Sequence, residues 1–169
     1  NVTFAPTNPI VINDGGNLSN RQGTLTVNPG VFTLPTQGTL RVNQDDQNTS
    51  VIDFNIPLTL TGDLTIQGGN TATNSGNGGT PNFNATIGGP FRIIKNGTGM
   101  IRFTTPHATT GVTAVTQGAL VYTTPAAIPG GLAGLVPANY DVDSGAALGL
   151  TMSLDGTNFT EADIQTVHT

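Results

Sequence analysis

Ten acidic side chains and two histidines are the residues of this 169-residue chain that could do proton or metal chemistry, and cysteine is absent. Glycoside hydrolysis needs two carboxylates across one cleft with pKa values pushed apart. The acids here are scattered along the chain. Asp45 and Asp46 are adjacent, so within a strand they would point to opposite faces, and QDDQN reads as a solvated turn. Asp141 and Asp143 in DVDSG can share a face and resemble the start of a calcium loop, but the remaining oxygen ligands and the closing bidentate glutamate do not follow. They read as outward-facing strand residues with Val142 turned inward. His107 and His168 are isolated, with no neighbouring histidine or cysteine to build a zinc site. No nucleophile elbow is present, and the glycine-rich GNGGTP lacks the Lys-Ser/Thr of a phosphate loop. Arg92, Lys95 and Arg102 cluster around one strand pair, with Arg92 and Arg102 projecting outward beside the NGTG turn. They read as a solvated basic face, or as a contact for an acidic surface on a neighbouring copy. No residue is assigned a catalytic, cofactor-binding or metal-binding role; no cofactor is expected, and the chain reads as a non-enzyme.

The elements that would position such residues must be thin and β-rich. Hydrophobic residues are 36% of the chain and aromatics 5%, while Thr, Asn and 23 Gly dominate the rest. Threonine suits a pleated surface through its branched Cβ, whereas Asn and Gly suit tight turns. Charged residues are only 9%, the net charge is −5, and the pI is near 4.5. Five basic residues cannot track a phosphate backbone, so nucleic acid is excluded as a partner. The lack of cysteine excludes a disulfide framework, and no run is long enough to span a membrane. A start at NVTFAP, without a signal peptide, fits a mature processed product or an excised domain. Sequons begin at Asn1, Asn17, Asn48, Asn84, Asn96 and Asn158, several of which this Asn and Thr content produces by chance.

The clearest strand signal runs over 51–66. Ile52, Phe54, Ile56, Leu58 and Leu60 alternate with polar residues, Pro57 marks a corner, and Leu64 and Ile66 resume after a Gly62-Asp63 turn. Further strand cores fall at Leu25/Val27, Phe32/Leu34, Leu40/Val42, Ile101/Phe103, Leu120/Tyr122 and Leu148/Leu150. QGTLTV, QGTLRV and QGALVY form an irregularly spaced internal repeat. Residues 67–82 are of low complexity and read as a protruding loop. The one predicted helix is TEADIQTV, with Thr160 and Asp163 as a short capping box. Short repeated strands allow a parallel β-helix or an antiparallel sandwich or jelly roll, and Asn96-Gly97 between apolar strands is by itself a hairpin signal.

The segment IIKNGTGMIRFTTPHATTGVTAVTQGALVY resembles the autotransporter-associated β-strand repeat, also called the passenger-associated transport repeat. The matching positions are Lys95, Gly97, Gly99, Ile101, Phe103, Thr110, Gly111, Val112, Val115, Gly118 and Leu120. The likeness is clearest over 90–165 and looser before it; Pro106 and His107 stand where the family has small polar residues. The resemblance implies a single right-handed parallel β-helix (β-solenoid) domain over 1–169, with the Asn96-Gly97 turn joining successive strands instead of closing a hairpin. It also implies a secreted protein of the bacterial cell surface or extracellular matrix. The leading functional expectation is a structural module, such as an adhesin stalk, matrix component or fibre subunit, that self-associates through its end strands. The alternatives are a polysaccharide-binding or polysaccharide-degrading β-helix, and a fragment of a larger adhesin passenger. Surface glycans are candidate partners, although sugar platforms use exposed aromatics and this chain has no Trp and only Tyr122 and Tyr140.

Overall fold

The computed structural model describes residues 2–4, 10–11, 17–20, 24–27, 32–35, 38–42, 51–55, 57–68, 80–153 and 157–167. They form an all-β arrangement of three parallel sheets and one short helix. The first sheet has seven strands: β1 (Val2–Phe4), β4 (Thr24–Val27), β7 (Val51–Phe54), β10 (Thr80–Phe83), β13 (Met100–Phe103), β16 (Ala119–Tyr122) and β18 (Ala147–Leu150). The second has five: β2 (Ile10–Val11), β5 (Phe32–Pro35), β8 (Leu58–Thr61), β11 (Ile87–Gly89) and β14 (Ala108–Thr109). The third has six: β3 (Asn17–Asn20), β6 (Gly38–Val42), β9 (Leu64–Gly68), β12 (Ile93–Asn96), β15 (Thr113–Val115) and β17 (Tyr140–Val142). Up to β16 the chain visits the sheets in strict rotation, so each strand lies beside the one three elements away.

Every strand pair described is parallel, which overturns the antiparallel sandwich alternative. The Asn96-Gly97 dipeptide is the instructive case. It ends β12 and begins the turn to β13; the two strands belong to different sheets and do not pair, so the turn is a corner and no hairpin forms. All seven apolar strand cores expected from sequence fall within strands. The Gln-Gly-x-Leu repeat is irregular for a topological reason: two copies lead into the first sheet, at β4 and β16, and the third into β6 of the third sheet. The expected loop over 67–82 is wrong at both ends. Gln67 and Gly68 finish β9, and Thr80–Phe83 is β10, paired with β7 and β13; the low-complexity middle, and the QDDQN turn, lie outside the described residues.

Alternation places the core between the sheets. Phe54, Leu58, Leu60, Leu64 and Ile66 are buried, while Asn55, Pro57 and Thr59 are exposed. Because parallel partners in register project to the same side of a sheet, like positions stack into columns. One column carries Phe54, Phe83, Phe103, Tyr122 and Leu150 in register. Its rings stand 5.1, 5.2 and 5.8 Å apart, near the range in which aromatic pairs gain beyond burial alone. Corners stack as well: Asn84 Nδ2 donates to Asn55 Oδ1 at 3.0 Å, and Thr104 and Thr105 both donate to Phe83 O at 3.1 Å. Gly118 (φ +71°) shows how tight this is, since a Cβ there would lie 2.3 Å from Gly99 O in the turn stacked against it.

The second sheet ends early, at β14. Where its next strand would run, the chain instead makes three 3-10 turns, Pro125–Ala127, Gly131–Gly134 and Pro137–Asn139, before β17. Ala127 and Ile128 pack into the core beside Phe159, which bridges to Met152. The helix α1 (Glu161–Val167) follows, as the capping box predicts. The Asp163 carboxylate accepts from the Thr160 N–H and hydroxyl, both at 2.8 Å, and these bonds hold its pKa below the usual carboxylate range. Ile164 packs its apolar side against the core.

Candidate functional site: a buried polar layer and its cleft

Along the inner columns toward the C-terminal end, several apolar positions are taken by polar residues. Leu64, Ile93, Thr113 and Tyr140 share one column. Ile66, Lys95, Val115 and Val142 share the next. In the second sheet Leu58 is beside Ile87, and His107 follows, taking the Ile87 N–H on its Nδ1 at 3.3 Å; Gly89 is beside Thr109. Alternation along each strand puts these residues inside, and the strand order brings them to one end of the core.

Lys95 is 0% exposed, which corrects the reading of a solvated basic trio. Its place two residues after the buried Ile93 is an inward one, and a lysine there must run its stem through the core to reach polar atoms. The ammonium ends at a corner and donates to Asn96 O at 3.0 Å, Gly97 O at 2.5 Å and Gln117 O at 3.0 Å. It thereby ties the turn after β12 to the turn before β16. Burial lowers its pKa to about 8. Asn96 Oδ1 accepts from the Gly97 N–H at 2.6 Å, tightening the same turn. Arg92 and Arg102 do lie on the exposed side. The Arg92 guanidinium sits 3.9 Å from the Asp141 carboxylate, both well exposed, a geometry that contributes little stability.

His107 is 5% exposed, packed edge-on against the Phe103 ring at 4.1 Å, and its Nε2 has no partner. Burial lowers its pKa to about 4, so the ring is neutral at pH 7. Thr109, also 5% exposed, has a buried hydroxyl with no partner. The Tyr140 and Tyr122 hydroxyls lie 3.5 Å apart. Burial pushes both phenol pKa values up, and the Thr113 hydroxyl partly offsets the rise at Tyr122. Asp141 and Asp143 are exposed, as expected of outward strand residues. Val142 follows the inward register of Val115 yet is 41% exposed, because β17 ends its sheet and no strand lies beyond it.

Above this layer a cleft of about 350 Å³ opens between the corner at Thr109–Thr113 and the 3-10 turns, with Pro129, Ala133, Asn139 and Tyr140 in its walls. No charged side chain lines it. Hydroxyls, a carboxamide and apolar surface can position an uncharged guest, but they include no carboxylate pair or base–nucleophile set. Among the described residues no three His, Cys, Asp or Glu side chains gather as a metal ion requires, and no helix is long and apolar enough to cross a membrane. His168 lies outside the described residues. The composite layer was hidden from a residue-by-residue search because Thr and Tyr carry no motif. Aligning the repeats Leu64-x-Ile66, Ile93-x-Lys95 and Thr113-x-Val115 would have exposed Lys95 as inward. Comparison with family models, curated proteins and solved structures yields no match.

Proposed function

We propose that this chain is a non-enzymatic structural module of the bacterial exterior, a right-handed parallel β-helix of the autotransporter-associated repeat type that stacks end to end into a fibre or stalk. The observation that carries the reading is the strict rotation through three parallel sheets, with each strand beside the strand three elements away. A chain that returns to a parallel neighbour by way of two other sheets is winding, and such crossovers are right-handed in nearly all proteins. The corner at Asn96-Gly97 and the Lys95 contacts give the Lys-x-Gly-x-Gly segment of the resemblance a physical role as a turn lock. Secretion fits a surface that relies on Thr and Asn more than on charge.

Self-association follows from the edges. At one end β1, β2 and β3 each border a sheet; at the other, β18, β14 and β17 do. An edge strand leaves backbone donors and acceptors free to template another chain. Just after β17, the Asp143 N–H donates to Val115 O of the neighbouring strand at 3.0 Å, so Val142, one position back, turns its N–H to the open side. Joining β17 of one copy to β3 of the next would continue the third sheet, a head-to-tail contact that does not close. Sedimentation over a wide concentration range, with electron microscopy of the same samples, is the test. Concentration-dependent growth into filaments is expected, and Val142→Pro should abolish it while leaving the circular dichroism spectrum intact. A chain that stays monomeric throughout sinks the proposal.

A further inference from the structure

The corner after β12 holds a nucleophile, an electrophile and a cation within one turn. Asn96 ends β12 with its side chain partly exposed and open to water. The Gly97 nitrogen stands 2.6 Å from Asn96 Oδ1, which sets it alongside Cγ, the carbon that carries that oxygen. Reacting atoms held about 3–3.5 Å apart are in near-attack range. The N–H points at the oxygen, and rotation about χ2, a soft torsion in asparagine, turns the face of the carboxamide to the nitrogen. Gly97 has no Cβ to obstruct that approach, and its φ of +81° is one that other residues rarely adopt. An amide nitrogen attacks only once it has lost its proton, and the charge then spreads onto the oxygen of the same peptide. That oxygen is Asn96 O, to which the Lys95 ammonium donates at 3.0 Å. Gly97 O and Gln117 O hold the ammonium in place. A preformed donor aimed where charge develops lowers the barrier to such a step.

We propose that Asn96-Gly97 is a self-modifying site, whose folded turn converts Asn96 to aspartate and isoaspartate while the Lys95 ammonium stabilises the reacting peptide. The Gly97 nitrogen gives its proton to solvent and forms a bond to Asn96 Cγ. The Cγ–Nδ2 bond breaks, and Nδ2 takes a proton from solvent and leaves as ammonia, closing a five-membered succinimide. Water then adds to one of the two ring carbonyls. Breaking the bond from nitrogen to Cγ gives aspartate; breaking the bond to the backbone carbonyl carbon gives isoaspartate, whose main chain runs through Cβ. Nothing is oxidised or reduced, and water is the only co-reactant. Either product puts a carboxylate where a neutral amide stood, beside the lysine that ties two turns together.

The test is timed incubation of the full chain, with mass spectrometry of the tryptic segment from Asn96 to Arg102 by a fragmentation that separates isoaspartate from aspartate. The other Asn-Gly pair, Asn77-Gly78, is an in-chain reference. Near neutral pH, Asn96 should convert at least about threefold faster in the folded chain than in the same chain in guanidinium chloride. Lys95→Met should slow Asn96 at least about tenfold and leave Asn77 unchanged. A pH series separates charge from shape and needs no variant. Burial lowers the Lys95 pKa to about 8. The Asn96 rate should therefore climb with hydroxide up to that pH and level off above it as the ammonium is lost, while the Asn77 rate keeps rising. Strands β9 and β15 and the turns 97–99 and 116–118, which pack around the lysine, carry no titratable side chain. Arg92 and Arg102 project outward, and the inward His107 and Tyr122 stay neutral across the series. A folded-state rate no greater than the unfolded one overturns the proposal. So does an Asn96 profile that keeps pace with Asn77 above pH 8, or an undiminished rate in folded Lys95→Met.

Discussion

The middle of the stack and its C-terminal end use the same inward positions for opposite purposes. In the middle, Phe54, Leu58 and Leu64 stack in register with Phe83, Ile87 and Ile93, and with Leu60 and Ile66 they make an apolar core. One to three strands beyond Phe54–Ile66, the same columns hold Lys95, His107, Thr109, Thr113, Tyr122 and Tyr140, with two buried polar atoms unpartnered. The backbone register is equally regular in both regions, so the ladder does not depend on apolar filling. The columns are thus where this fold can vary chemistry without altering its shape.

Substitutions in the two regions should break or sharpen that contrast. The largest effect is expected at Phe83→Ala in the aromatic column, which leaves a ring-sized void between Phe54 and Phe103 and should cost about 3–5 kcal/mol in urea unfolding. A loss well below that range would mean the column relaxes to fill the gap. Lys95→Met should cost about 1–3 kcal/mol, because the thioether fills the volume but abandons three corner carbonyls. If that variant is as stable as the parent, the lysine is a tolerated burial and not a lock. Tyr122→Phe should cost about 0.5–1.5 kcal/mol, the worth of one net hydrogen bond, and a null result by the same assay would place the hydroxyl outside the polar layer.

A further contrast is one of pH. The folded-state pKa of His107, about 4, is below the ordinary value near 6.5, so between those values the unfolded chain binds more protons. Stability contributed by the neutral ring is complete above pH 6.5 and is lost as pH falls toward 4. His107→Leu should remove that part of the slope in thermal melts collected from pH 7 to pH 4. An unchanged slope would show that other groups carry the acid sensitivity.

Much of the strand content was legible because alternation is a local property: Phe54 to Leu60, with a proline at the corner, declares its inner face without reference to any neighbour. The polar layer was not legible for the complementary reason. Thr109 and Thr113 look like surface strand residues until the register places them behind Gly89 and Ile93. Lys95 looked solvated because a lone lysine usually is, and only the stacking of two turns supplies its acceptors. Asn96-Gly97 misleads as a dipeptide, since the same tight turn serves a hairpin or a corner and the choice belongs to what lies beside the flanking strands. Val142 was placed on its proper side, but its exposure depends on the stack ending there.

The spacing between stacked residues bears on how such a chain comes to be folded at all. Asn55 and Asn84 touch across 29 positions, Ile87 and His107 across 20, and these separations do not grow along the chain. Under the proposed winding, the entropic cost of closing each circuit is therefore nearly constant, and every completed layer offers a finished edge to the next. Assembly can advance as a front from whichever end orders first, without waiting for the opposite terminus. Pulled by its ends, the molecule should yield in a staircase, each step releasing about 20 to 29 residues of slack.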